Sequence, residues 1–578
     1  MARAFDVQIR GNIDDALRAQ LEGGSLLVEQ AAGEQAVSPQ EIVSTAQADY
    51  QRLLAVLYDA GYFGAAIDIA LDGREAAAIP PVNPPAAVRQ AVITITPGRV
   101  FRFGRANIAP LAPDTDLPEG FASGEIAGLG VLKSAVGAGV DGWRNAGYAR
   151  AALESQSLTA RHSQQEINAD LVLDPGRKFR FGPLDIKGES TVRRERILEI
   201  AGLPEGEVFS PEELRKSGDR LRRTGAFSSV AMVEAEGPVA GDELPVTARV
   251  ADAKPRRFGF GAELATVEGI TLSAFWLHRN LFGGAERLRV EGEIKGIGGE
   301  TGGTDYRIET RFDRPATFNE DTGFYALTEI EQLDQVSFFS RQLTLEAGIE
   351  RTASDQRSYR LGLGLRRATT RDDFGEADYT LFLVPAGATF DYRDRPLDAR
   401  RGFYADVELT PFLALSGADN GLLTTADLRG YRTFGSDRNT TLALRVQLGS
   451  VAGPALNVAP ADFLFYSGGG GTVRGHDFQS LGVDLGGGRE VGGRSFLGFT
   501  AELRFRSSGN LGYVGFFDAG YIGAESFPDG SGEWQTGAGV GLRYATGIGP
   551  IRVDLGTATS GSDDAAAFQL YIGIGQSF

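Results

Sequence analysis

Cysteine is missing from all 578 residues, so disulfides, thiolate nucleophiles and cysteine-ligated metals are excluded. Histidine is almost missing: His162, His278 and His476 are widely spaced, and neither a histidine metal site nor a Ser-His-Asp triad is expected. No Gly-Lys dipeptide occurs, which excludes a phosphate-binding P-loop, and no Gly-x-Ser-x-Gly elbow occurs. No catalytic residue, cofactor or metal is therefore expected, and the protein reads as a non-enzyme. Positive charge is in deficit, with a net charge of -18 and scattered arginines, so nucleic acid is not an expected partner. No apolar run reaches the ~18 residues of a transmembrane helix. Met1 to Phe5 lack the apolar core of a signal peptide, and the numbering is expected to start on the mature chain.

What is present is alternation. The last residues, Phe568 to Phe578, place Phe568, Leu570, Ile572, Ile574 and Phe578 on one strand face and Tyr571, Gly573, Gly575 and Ser577 on the other. In lipid only helices and closed barrels satisfy every backbone amide, so an alternating, aromatic-ended strand points to a membrane barrel. Mean hydropathy of only -0.14 agrees, because each lipid-facing residue alternates with a polar lumen-facing one.

Internal repeats divide the chain. Pro97-Gly-Arg-Val-Phe-Arg-Phe-Gly104 returns 78 residues later as Pro175-Gly-Arg-Lys-Phe-Arg-Phe-Gly182. A helix ending in glycine and then an aromatic-rich strand occurs at Gly61, Gly147 and Gly225, spaced by 86 and 78 residues. Glycine just beyond a helix end adopts the left-handed conformation that turns the chain into the next strand. Ser38-Pro39-Gln40-Glu41 and Ser210-Pro211-Glu212-Glu213 each supply an N-cap serine, a proline at N1 and a capping-box glutamate. Three βααββ repeats are expected, at 1–97, 98–176 and 177–254.

From Pro255 the helical pattern gives way to short alternating strands, such as Phe403, Ala405, Val407 and Leu409 against Tyr404, Asp406 and Glu408. The 324 residues of 255–578 suffice for about 16 antiparallel strands, and an odd number would be unusual. A glycine-rich connection at 467–495 carries Val473-Arg474-Gly475-His476, and Phe516, Asp518 and Gly520 share one strand face further on. A guanidinium inside a barrel needs a bidentate carboxylate, so Arg474 is expected to lock onto Asp518 and draw the loop into the lumen.

On these motifs the chain resembles the Omp85 family of outer-membrane assembly and translocation proteins. Val473-Arg474-Gly475-His476 matches the family's loop motif, with His476 in place of the usual aromatic, and Phe516 to Gly520 matches its Phe-x-Asp-x-Gly strand motif. His278 to Gly283 and Gly549 to Asp554 are two further similar segments. The repeats resemble the family's periplasmic POTRA domains. Three of them before a barrel resemble the TamA subfamily, which implies a TamB-like inner-membrane-anchored periplasmic partner and unfolded outer-membrane or autotransporter clients. The resemblance also implies residence in the bacterial outer membrane, in contact with its lipid, with the repeats in the periplasm.

The first strand, near Phe258 to Leu264, must meet the last to close a barrel. Gly573 and Gly575 either weaken that seam, so that client strands add to its open edge, or only permit curvature and close packing. Two other classes stay open. A two-partner secretion transporter shares the loop motif and serves one dedicated substrate, whereas a passive porin needs neither repeats nor an arginine-bearing lumen loop.

Overall fold

The computed structural model describes all residues except 1–4, 34–36, 81, 238–240, 266–268, 300–301, 436–438, 508, 548, 562–567, 575 and 577. The chain forms two compact units. The first is Met1–Asp185 with Pro204–Arg215 and Glu234–Val246; the second is Ile186–Leu203, Lys216–Val233 and Thr247–Phe578.

Each repeat builds a small sheet in which the last main strand lies between the first and the second. In the first repeat Gln90–Thr96 sits between Asp6–Arg10, parallel to it, and Ala66–Leu71, antiparallel. In the second, Glu166–Asp174 sits between Arg102–Ala109 and Ala152–Arg161; in the third, Glu243–Asp252 sits between Arg180–Lys187 and Phe227–Glu234. Helix Pro39–Asp59 starts at a complete capping box, in which Ser38 and Glu41 satisfy each other's backbone amides. Gly61, Gly147 and Gly225 have φ of +86°, +98° and +70°, the left-handed turn that a side chain would resist.

The second repeat departs from βααββ. Between its first strand and helix Leu129–Asn145, residues 110–128 form no helix. Pro110, Pro113 and Pro118 remove backbone donors, and Gly120, Gly124 and Gly128 raise the entropy cost of a helix there.

In the second unit, sixteen antiparallel strands close into a barrel among the described residues, from Arg256–Ala265 to Phe568–Ile574. The eighth is interrupted: Gly375–Leu383 and Ala386–Asp391 both pair with Arg357–Asp372 on one side and Gly402–Ser416 on the other. Pro385 lies in the gap and offers no N–H to the ladder, yet its carbonyl still accepts from Gly362 N at 2.8 Å. The count is therefore even.

Polarity is inverted relative to a water-soluble sheet. Leu361, Leu363, Leu365, Phe403, Leu503 and Phe505 face outward. Ion pairs such as Arg307–Glu329 and Arg445–Asp427, at 2.8 and 2.7 Å, line the interior. Only lipid outside makes that order favourable. Among the described residues no helix is long and apolar enough to span a membrane, which says nothing of strands.

Helices of the third repeat grip one barrel turn within this unit. Arg220 makes a bidentate pair with Asp321, Nε to Oδ1 at 2.9 Å and Nη2 to Oδ2 at 2.8 Å. Arg196 Nη2 donates to the carbonyl of Pro315 at 2.6 Å. The Arg220 hydrogen bonds hold the Asp321 carboxyl below its usual range.

Among the described residues the closing seam is short. The first strand pairs with the second from Arg256 to Ala265, but its described pairing with the last strand is confined to Leu264 opposite Ile572 and Ala265 opposite Tyr571. Phe258 and Phe260 project outward beyond that ladder.

Phe568, Leu570 and Ile572 face outward while Gln569 and Tyr571 are buried on the lumen side. Phe578 corrects the alternating assignment. Its ring packs inside the barrel beside Ala399, Tyr431 and Ala443, with the Arg504 guanidinium 5.0 Å away. The described strand runs to Ile574, and a cationic, aromatic inner wall receives the Phe578 ring. The Ile574 side chain and Gly575 lie outside the described residues.

Candidate functional site: the lumen loop and the closing seam

The connection between strands Thr440–Ala452 and Ser495–Arg506 is longer than its glycine-rich core. Residues 453–494 include two short 3-10 turns, Leu456–Val458 and Ala461–Phe463, and a small hairpin, Val483–Gly486 with Arg489–Val491. Two anchors hold this segment in the lumen.

The main anchor is Arg474. Its Nε and Nη2 meet the two oxygens of Asp518 at 2.8 and 3.0 Å, and its Nη1 meets Glu502 at 2.9 Å and Asp554 at 3.2 Å. The guanidinium lies 3.5 Å from the centroid of the Phe516 ring, and its own backbone N–H donates to Asp518 at 3.2 Å. All four charged groups are buried. Arg504 pairs with Glu502 at 2.8 Å and Arg543 with Asp554 at 2.5 Å, so three guanidinium groups balance three carboxylates. Burying such charges is tolerable only with this degree of pairing, and removing one member typically costs about 3–5 kcal/mol.

The wall beneath the loop is bare. A Cβ on Gly520 would come within 2.1 Å of Ser467 Oγ, and one on Gly537 within 2.1 Å of the Arg474 carbonyl oxygen. Gly475 has φ +95°, and a Cβ there would strike the Thr557 backbone, so the loop's turn and its close seating both require glycine. Val473 is wholly buried. His476 is buried too, and its Nε2–H donates to the Thr536 carbonyl at 2.9 Å, replacing aromatic packing with a directed hydrogen bond.

The loop also holds the last strand. Gly475 N–H donates to Tyr571 Oη at 3.1 Å, Tyr571 donates to Gln569 at 2.5 Å, and Gln569 Nε2 donates to Asp477 at 2.6 Å. At the seam, Arg552 reaches across Gly573 to Glu263 of the first strand at 2.9 Å. A Cβ on Gly573 would lie 3.0 Å from Arg552 Nε and 3.2 Å from the Glu263 oxygen, so the glycine leaves room for this cross-seam pair.

The structure thus brings Val473, Arg474, Gly475, His476, Phe516, Asp518 and Gly520 into one site, and places Gly573 at the seam. Sequence reasoning missed Glu502, Asp554, Arg504, Arg543 and Gln569; all sit at inward positions of alternating strands, which alternation marks without pairing. It also missed the second anchor, Asp462, buried against Tyr379 Oη and Arg366, the latter at 3.1 Å. Among the described residues no His, Cys, Asp and Glu grouping has the geometry of a metal site.

A family model for the Omp85 superfamily domain matches residues 280–578. The chain belongs to the Omp85 superfamily. A POTRA model, described as a surface antigen variable number repeat, matches residues 179–251, the third repeat. Among solved structures, BamA from Haemophilus ducreyi lacking POTRA domains 1–3 is similar at 15% identity and a TM-score of 0.62, covering 82% of this chain and all of that one. CdiB from Acinetobacter baumannii is similar at 12% identity and a TM-score of 0.51, covering 82% of this chain and 90% of that one. CdiB from Escherichia coli gives 14% identity, a TM-score of 0.50 and coverage of 82% and 91%. At such identities the likeness is one of fold. Omp85 membership with POTRA repeats implies an outer-membrane barrel with periplasmic repeats, working with partner proteins and clients.

Proposed function

We propose that this Omp85 protein promotes the insertion or secretion of autotransporter-type or other β-barrel clients, by adding client strands at the seam between its first and last strands. The observation that carries this reading is the short closing ladder. Beyond Leu264 and Ala265, among the described residues, the edge of the first strand back to Arg256 has no backbone pairing on its seam side, only the side-chain pair of Glu263 with Arg552. An unpaired edge is a template for an incoming strand, through backbone hydrogen bonds that do not depend on client sequence.

The lumen loop blocks a passive pore and holds the last strand through Tyr571 and Gln569, so it both seals the barrel and restrains the seam. In this reading the protein works without a catalytic centre or cofactor. The three repeats receive unfolded clients, and a TamB-like protein anchored in the inner membrane completes the pathway, as in the TamA subfamily.

The test is a Leu264→Cys/Ile572→Cys pair, which faces across the closing ladder. Reconstituted in liposomes with an unfolded barrel client, the oxidised protein should lose insertion activity and the reduced protein should keep it. Full activity in the locked form refutes strand addition at the seam. A single secreted substrate captured on crosslinking would instead favour the two-partner secretion reading.

A further inference from the structure

At the barrel end where the first strand starts, a rim cavity of about 270 Å³ is lined by Arg395, Arg400, Arg504, Arg506, Arg543 and Asp398. Arg504 is the telling residue. Its Nε binds Glu502 at 2.8 Å and its Nη2 donates to the Phe578 carbonyl at 3.3 Å, but its Nη1, buried with the rest of a side chain only 8% exposed, has no hydrogen-bond partner among the described residues. A buried guanidinium donor left unmet is costly, and an oxyanion in the cavity would satisfy it.

The charges around the cavity point the same way. Arg506 and, at 3.9 Å, Arg400 share Asp398, while Arg504 and Arg543 lean on Glu502 and Asp554. Glu502 and Asp554 must also serve Arg474. Cationic groups are thus in excess here, in a chain whose net charge is -18.

Outside the same strand ends, Phe505, Tyr513 and Tyr544 are about half exposed on the lipid face. Phe505 lies opposite Tyr513, and Leu511 lies opposite Tyr544. Aromatic rings at the end of an apolar band mark the depth of lipid headgroups, and Phe505, Leu511 and Tyr513 also line the cavity.

We propose that this rim pocket binds the phosphate of a membrane phospholipid, with its acyl chains against Phe505, Leu511 and Tyr513. The inference rests on the barrel being lipid-embedded, but not on client insertion.

The test uses the full chain in detergent, with phosphatidylglycerol or with diacylglycerol of the same chains, read by native mass spectrometry. Phosphatidylglycerol should be retained and diacylglycerol lost. R400Q/R506Q, which alters one half-buried and one exposed position and leaves Arg504 and the loop network in place, should weaken retention by roughly thirtyfold for two charges. Equal retention by wild type and variant overturns the proposal. So does binding of inorganic phosphate, or of an acidic peptide, without retention of the lipid. A protein that stays soluble without detergent would instead defeat the embedded-barrel reading on which the inference depends.

Discussion

Replacing Arg474 with alanine removes the one cation on which Asp518, Glu502 and Asp554 converge, while Arg504 and Arg543 still pair with Glu502 and Asp554. Asp518 loses both guanidinium bonds and keeps the loop's backbone N–H at 3.2 Å. Breaking a buried pair by deleting one partner costs about 3–5 kcal/mol. That shifts the docked-to-undocked ratio of the loop by roughly 10²- to 4 × 10³-fold. Because the chain has no native cysteine, a Val473→Cys probe is unique, and its position is wholly buried when the loop is docked. Maleimide should label it slowly in an otherwise wild-type background and on the order of a hundredfold faster or more beside Arg474→Ala, since labelling follows the undocked population. Arg474→Lys should fall between the two, as lysine keeps the charge but not the bidentate fork. Heat-modifiable gel mobility would verify that the barrel remains folded. A labelling rate within about threefold of the otherwise wild-type value would refute the lock, because it would mean that the loop is held by its glycine-lined seat and the Asp462 anchor.

Tyr571→Phe deletes the hydroxyl that joins Gly475 of the loop to the last strand; one hydrogen bond of about 1 kcal/mol predicts a roughly fivefold rise in Val473→Cys labelling, and no rise would uncouple loop from strand. For the Arg220–Asp321 clamp, the folded carboxyl titrates below its unfolded value near 3.9, so its stabilisation is present above about pH 4 and is lost as pH falls through the lowered value. A spin-label distance between the third repeat and the 315–321 turn should therefore hold from pH 8 to about pH 5 and broaden only in stronger acid. Asp321→Asn should broaden it at every pH, and broadening between pH 7 and 5 in the wild type would contradict the assignment.

Much of the architecture was legible because its signals are local. A period of two needs only neighbouring residues, which is why the outward Leu361, Leu363 and Leu365 and the inward charges could be read one strand at a time. The helix-ending Gly61, Gly147 and Gly225 and the capping box at Ser38 are equally local. The second repeat shows the limit of repeat logic, since prolines and glycines in residues 110–128 outweigh the similarity of its flanking segments. Arg474 and Asp518 were paired from chemistry, because one buried guanidinium and one inward carboxylate need each other wherever the chain brings them together.

Sequence by itself determined that a strand-built, lipid-facing barrel follows small α+β repeats, and that an arginine-bearing loop must find acid inside it. Tertiary structure alone decided which acids. Glu502, Asp518 and Asp554 lie 28, 44 and 80 residues from Arg474 and converge only through the register of neighbouring strands. It also decided that the described seam ladder pairs Leu264 and Ala265 with Ile572 and Tyr571, that Arg552 crosses Gly573 to reach Glu263, and that Phe578 turns inward. Alternation names the face of a strand, whereas register, closure and the path of a terminus depend on how distant strands are staggered around the cylinder, and no local pattern encodes that stagger.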